Sequence, residues 1–371
     1  MSEDCLTLNV VRPSGKHEKP LPVLVWIFGG GLFTGSIADP QYNLSGIVKV
    51  SQDMGQPVIA VAMNYRLNMY GFLQTPQLLA EGSSNAGLLD QRLALHWIQE
   101  NIAAFGGDPD RVVIWGESAG AQSIAYHLFR SFVKVPLLIG HNTDEGINFR
   151  PTSPRPETAK DLQNAFASWR SYSLSSPTIR KLLELYPDDP CDAPPLAITN
   201  CSRLPALSRG SQWRRGADIG GDLVMISGRR KMCELYAGPI GESQPVYSYR
   251  FDQRLWNRAE VDGVQHFDNV AFSFQNISGL LGASPTHDSH VKLARTIGQS
   301  YVRFVYNLDP NPACRHNATD VMALPKWPRY DLDKPVNMVL NATENYLEDD
   351  TYRKEGMAYI NSPAVARELL A

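Results

Sequence analysis

The residues best placed to do chemistry are Gly116-Glu117-Ser118-Ala119-Gly120. A serine in a Gly-x-Ser-x-Gly turn between a buried strand and a helix is lifted above the edge of a sheet. The flanking glycines are needed because the backbone there approaches itself too closely for side chains. That setting is present: an apolar run, 111–115, enters the turn, and an apolar segment that can be helical, 121–132, leaves it. Taken alone, the same residues also describe a glycine-rich strand-to-helix turn with serine as the helix cap. A hydroxyl attacks only when a base takes its proton and donors already face the developing oxyanion. Gly29-Gly30-Gly31, directly after an apolar run at 23–28, offers unobstructed backbone N–H groups at the carboxyl edge of a sheet. The N–H groups of Gly30, Gly31 and Ala119 would form the oxyanion hole. Three glycines can also cradle a phosphate, but neither Gly-x-Gly-x-x-Gly nor Gly-x4-Gly-Lys-Ser/Thr follows, and the nucleotide reading loses.

A base must come from the eight histidines. His96 and His127 fall in predicted helices and His17 and His316 in polar loops, where structural or solvated roles are the better reading. His266 lies in a loop shortly after a predicted strand, from which it can reach across the sheet's top edge. The residue pattern leaves His141, His287 and His290 open. No metal site is expected: His287 and His290 are spaced i, i+3, but no third ligand stands at a suggestive spacing and no His-Glu-x-x-His occurs. The basic run Arg229-Arg230-Lys231 reads as the solvated face of a helix.

The elements that would position these groups alternate. Continuous apolar runs at 23–28 and 58–63 predict strands buried on both faces, 111–115 predicts another short buried strand and 135–139, 246–251 and 336–340 further strands, while 86–104, 121–132, 159–167, 176–185 and 290–306 predict helices. This order implies an α/β fold, a mostly parallel central sheet with helices on both faces. At 371 residues, with 43% hydrophobic and 20% charged residues, the chain is an ordinary globular one, which excludes wholesale disorder, collagen and coiled coil. A net charge of −3 argues against nucleic acid as a partner, and no 18-residue apolar stretch predicts a membrane span. Five cysteines are too few for a disulfide scaffold; Cys191 and Cys201 could bridge locally. Five Asn-x-Ser/Thr triplets, at Asn43, Asn200, Asn276, Asn317 and Asn341, matter only on a secretory route. The sequence begins Met-Ser-Glu-Asp-Cys with no signal peptide, so the expectation is a cytoplasmic chain as given, or a missing beginning.

Ser2-Glu3-Asp4-Cys5-Leu6, residues 26–31, Asn64-Tyr65-Arg66, and residues 85–91, 105–109 and 116–120 together resemble the type-B carboxylesterase family, the cholinesterase-like and lipase-like α/β-hydrolases. That family also carries an acid in Asp-Glu-Gly and a histidine in Gly-x-x-His. These match Asp144-Glu145-Gly146 and Gly263-Val264-Gln265-His266, with Asp268, Phe272 and Phe274 beyond. The resemblance implies an α/β-hydrolase fold in a single domain, with a nucleophile half 1–134 and an acid and histidine half 135–371. It implies Ser118 as nucleophile, His266 as base and Glu145 as the acid that orients it, with Glu117 lining the site. The expected reaction is hydrolysis of a small-molecule carboxylic ester through an acyl-enzyme, without a cofactor, and the parent family is expected to be secreted. Nothing in the sequence sets an oligomeric state.

One departure stands out. Glu145 follows Ser118 by only 27 positions, where relatives carry a segment several times longer that includes a sheet strand. If the strand at 135–139 pairs directly beside 111–115, Glu145 moves by about 4.8 Å, whereas triad contacts tolerate only about 2.6–3.2 Å. If it keeps its ancestral place, the sheet has an empty slot. The fold is therefore expected to be incomplete. The rival to an esterase is a catalytically impaired or inactive cholinesterase-like binding module.

Overall fold

A computed structural model describes residues 4–152, 155–169, 174–188, 209–256, 258–277, 287–312 and 320–370. The chain divides into two compact units, Met1–Lys134 with Val270–Met322, and Val135–Asn269 with Ala323–Ala371. The strands are β1 (Leu8–Val11), β2 (Leu21–Ile27), β3 (Ile59–Met63), β4 (Gly107–Gly116), β5 (Leu137–Asn142), β6 (Val246–Phe251), β7 (Val336–Leu340) and β8 (Tyr346–Asp349). The helices used below are α1 (Ser45–Asp53), α2 (Ala86–Asn101), α3 (Ala119–Ser131), α4 (Ala159–Ala167), α5 (Ser176–Leu185), α6 (Trp213–Gly221), α7 (Ser227–Ala237), α8 (Asp288–Asn307) and α9 (Lys354–Ile360). Among the described residues no helix is long and apolar enough to cross a membrane.

The first unit holds a sheet of order β1-β3-β2-β4. Every residue of β2 and β3 is buried, as continuous apolar runs require when both faces of a sheet are covered. β2 runs parallel to β3 and to β4, while β1 closes the far edge antiparallel, Leu8 opposite Met63. β4 starts four residues earlier than its apolar run because Leu21 pairs with Gly107. The register then shifts before Val23 pairs with Val112, so the extra residues of β4, Pro109 among them, sit in a bulge. Helix α8 packs on α1 and on β2 and β4. Aromatic rings lock these layers: Trp26 of β2, Trp115 of β4 and Phe274 lie with centroids 4.6–4.8 Å apart.

The second unit holds the sheet β5-β6-β7-β8, parallel except for β8. β6, β7, α4 and α5 have the bounds their sequence patterns predict. α4 is begun by a capping box in which Thr158 and Asp161 exchange side-chain and backbone hydrogen bonds. β5 is displaced toward the carboxyl end because Gly140, His141 and Asn142 pair with Tyr249, Arg250 and Phe251. Among the described strands β5 pairs with β6 alone and β4 with β2 alone. Val112 to Trp115 of β4 and Leu137 to Ile139 of β5 are half-buried, unlike β2 and β3.

The basic run corrects its sequence reading. Lys231 is half in water, but Arg229 and Arg230 are each only 4% exposed. α7 lies against β5 and β6, which turns both guanidinium groups onto Asp350, beyond β8. Arg229 Nη1 is 2.5 Å and Arg230 Nη2 2.7 Å from its oxygens, and Tyr330 donates to it at 2.8 Å. Burial pushes the Asp350 carboxyl up, yet Arg229 and Arg230 outweigh it and hold the group far below the usual carboxylate range. Asp350→Ala strands two buried cations. It should cost about 3–5 kcal/mol of unfolding free energy, read by urea denaturation at neutral pH.

Candidate active site

β4 delivers the chain to Gly116, and α3 begins at Ala119, so Ser118 sits on the bend between them. Its φ of 55° and ψ of −126° lie outside the regions a side-chain-bearing residue ordinarily adopts, a strain that persists only where the surroundings impose it. They do: a Cβ on Gly120 would overlap the Ile27 carbonyl of β2. The Gly120 N–H donates to Glu117 O at 2.8 Å, and the Gln122 N–H to Ser118 O at 2.9 Å. The glycine loop after β2 packs on the same bend, for a Cβ on Gly29 would stand 2.7 Å from Glu117 O and 2.8 Å from Ser118 Cβ. Gly30 and Gly31 follow with positive φ, and Gly30 O accepts from Phe33 and Thr34, closing a tight turn. Glu117 turns inward, with Oε2 out of solvent; burial, followed by the charge of Glu117, raises the pKa of the buried Tyr42.

Behind the bend, α3 is tied to α2. Ser123 donates to Ala119 O, Gln91 donates to Ser123, and His127 Nε2 meets Gln91 Oε1 at 2.8 Å. His127 is thus a structural group, its pKa lowered by burial.

The acid and the histidine are built within the second unit. β5 ends at Asn142, and the chain turns through Thr143 and Asp144 into a short 3-10 helix, Glu145–Ile147. Glu145 is buried, its Oε1 accepting the Asn142 N–H at 2.7 Å and its Oε2 lying 2.5 Å from His266 Nδ1. The Phe149 ring packs 4.7 Å from the imidazole, centroid to centroid. Asn142 Nδ2 donates to Gln265 O at 2.6 Å, and Asp144 and Gln265 form a parallel bridge, so the turn with the acid and the loop with the histidine are laced together. Of His266 and the three histidines left open by sequence, His266 is the one whose ring nitrogen meets a carboxylate among the described residues. His141 is buried, with Nε2 2.6 Å from the Tyr352 hydroxyl and Nδ1 2.8 Å from Asn142 O, and burial pushes its pKa well down. His287 and His290 face each other at the start of α8, ring centroids 5.1 Å apart. Among the described residues no three His, Cys, Asp or Glu side chains group as metal ligands.

Sequence reasoning gave no role to Asp268, which supports the histidine loop by accepting the Gln265 N–H at 2.9 Å while paired with Arg258 at 3.1 Å. Burial pushes its carboxyl up to about 6. A folded-state value above the unfolded one means that this group's contribution to stability is fully present below about pH 4 and is lost as pH rises through about 6. A rise from 3.8 to about 6 corresponds to about 3 kcal/mol. Asp268→Asn should therefore flatten the decline of unfolding free energy between about pH 4 and 6, measured by urea titration at several pH values.

Cys5 is exposed and Cys233 buried, both as thiols; burial raises Cys233 to about 11. Cys191, Cys201, Cys314, Asn200, Asn317 and His316 lie outside the described residues.

A model of the carboxylesterase family matches residues 1–134 and 127–359. The chain belongs to that family. Its fold is accordingly that of the type-B carboxylesterases and lipases, the α/β-hydrolases. Lipase 2 of Geotrichum candidum is 55% identical over 475 residues, which takes in 96% of this chain and 77% of that protein. Lipase 1 of the same organism is 57% identical over 129 residues, 34% of this chain and 23% of that protein. The secreted triacylglycerol lipase LIP1 of Gibberella zeae is 52% identical over 123 residues, 33% of this chain and 21% of that protein. The matched part of this chain thus spans about a quarter or less of most of these relatives. The two family matches meet at residues 127–134, between β4 and β5, where the sequence departs from the family's spacing.

Proposed function

We propose that the chain is a serine carboxylic-ester hydrolase and that its two units are the halves of one catalytic domain. Ser118 is the nucleophile, His266 the general base and Glu145 the acid. The Glu145–His266 pair carries the reading: a buried carboxylate 2.5 Å from Nδ1 fixes the tautomer in which Nδ1 keeps its proton and Nε2 accepts one. With Nε2 as base, the Ser118 hydroxyl loses its proton while Oγ attacks the ester carbonyl. The N–H groups of Gly30, Gly31 and Ala119 take the oxyanion, and His266 returns the proton to the departing alcohol. A water deprotonated by the same nitrogen then releases the carboxylic acid. Glu117, beside the nucleophile and turned under the glycine loop, lines the site. No step calls for a cofactor.

The secreted lipases among the relatives support a secretory parent, and the exposure of Asn43, which begins an Asn-x-Ser triplet, is compatible with that route. The test is hydrolysis of a short activated ester by the purified chain, lost in Ser118→Ala. A second reading, a non-catalytic module of the same ancestry, is favoured by the break in the family match at 127–134. It predicts that the wild-type chain and Ser118→Ala are equally inert.

A further inference from the structure

We propose that Arg214, acting through Asp144, is the positioning residue that keeps the Glu145 turn and the His266 loop in register. The inference rests on the catalytic reading of that pair. Asp144 immediately precedes Glu145, and its carboxylate spans two directions. Oδ1 lies 2.5 Å from Arg214 Nη1, and Oδ2 accepts the Val264 N–H at 2.8 Å, two residues before His266. The Asp144 N–H donates in turn to Val264 O at 2.9 Å. One residue therefore holds the histidine loop by side chain and backbone together, and a swing of its carboxylate would release half of that hold.

What stops the swing is the guanidinium. The side chains of Asp144 and Arg214 are 0% and 2% exposed, and a carboxylate so far from water is tolerable only against a cation of good geometry. Arg214 is itself held, 3.4 Å from Asp218, which lies 3.3 Å from Arg353, which in turn pairs with Asp222 at 2.8 Å. The chain of alternating charge runs from α6 to the residue before α9 and ends on the acid turn.

Two glycines show that the fit is close. A Cβ on Gly146 would overlap the Ala217 carbonyl, so the acid turn lies directly on the backbone of α6, the helix that carries Arg214. A Cβ on Gly263, whose φ is +55°, would overlap Asp144 Oδ2, so the histidine loop leaves room for the carboxylate and nothing more. Arg214 bonds to Asp144 and lies against Asp218, and its effect on the pair passes through Asp144.

The test compares wild type, Arg214→Lys, Arg214→Met and Gly263→Ala. Lysine keeps the charge but replaces the planar fork by a single ammonium. Gly263→Ala keeps every charge and crowds the clamp. The direct readout is the far-downfield proton resonance of His266 Nδ1–H bound to Glu145, recorded on folded protein and independent of turnover. We expect it to be lost or shifted in each variant that folds. kcat should fall about 100-fold with little change in KM, as misplacement of a base by about 1 Å would produce. The pKa on the acid limb of the pH–rate profile should move, and Arg214→Lys should retain more activity than Arg214→Met. An unshifted resonance in Arg214→Lys and Gly263→Ala overturns the proposal, whether or not Arg214→Met folds. Failure of the catalytic reading looks different: hydrolysis would survive His266→Ala, while the resonance would still report on Arg214.

Discussion

Ser118→Ala is expected to lower kcat for a short activated ester by about 10⁶-fold, because the step that forms the acyl-enzyme has no other nucleophile. Alanine keeps the Cβ and removes the hydroxyl alone, so unfolding free energy should change by no more than about 1 kcal/mol. Ser118→Gly separates chemistry from strain. With φ at 55° and ψ at −126°, the serine backbone is strained, and glycine relieves strain of this kind, worth about 1–3 kcal/mol. That variant should be as inactive as alanine and measurably more stable in urea. Equal stability of serine and glycine there would mean that the bend is not strained as described.

The second large effect belongs to Glu145→Gln. The carboxylate accepts from Nδ1 and from the Asn142 N–H and is buried, so the amide fits the same space. An amide nitrogen turned toward the ring would donate to Nδ1 and place the imidazole proton on Nε2, where a base must be bare. kcat should drop by about 10⁴-fold with KM nearly unchanged. Raising the pH should not restore it, since the fault is a tautomer rather than a protonation state. Recovery at high pH would argue that Glu145 acts only by its charge.

Where apolar residues run on without alternation, the sequence reading and the fold agree: β2 and β3 stand where the pattern puts them, because both faces of each are covered. β1 and β8 escape it. Each has only four residues and pairs antiparallel at a sheet edge; β1 is partly buried and β8 mostly exposed, so neither forms a long buried apolar run. The early start of β4 is set by the bulge opposite Leu21, a property of pairing rather than of either segment.

At the site, the bend around Ser118 is local and therefore readable: two glycines, a strand before and a helix after. The acid and the histidine are 121 residues apart, and no spacing rule relates them; only resemblance to a family singles out Glu145 and His266. Arg229 and Arg230 mislead for the same reason. A basic run on a helix faces water unless a distant carboxylate compensates it, and Asp350, 120 and more residues away, does so.

The central claim is that Ser118 is activated by His266, and covalent labelling with a phosphonofluoridate tests it most directly. Such reagents phosphonylate a serine whose proton a base removes, displacing fluoride. The account predicts stoichiometric mass addition on the peptide containing Ser118 in the wild-type chain and none in His266→Ala. An unlabelled wild-type chain, or labelling that persists undiminished in His266→Ala, would contradict it.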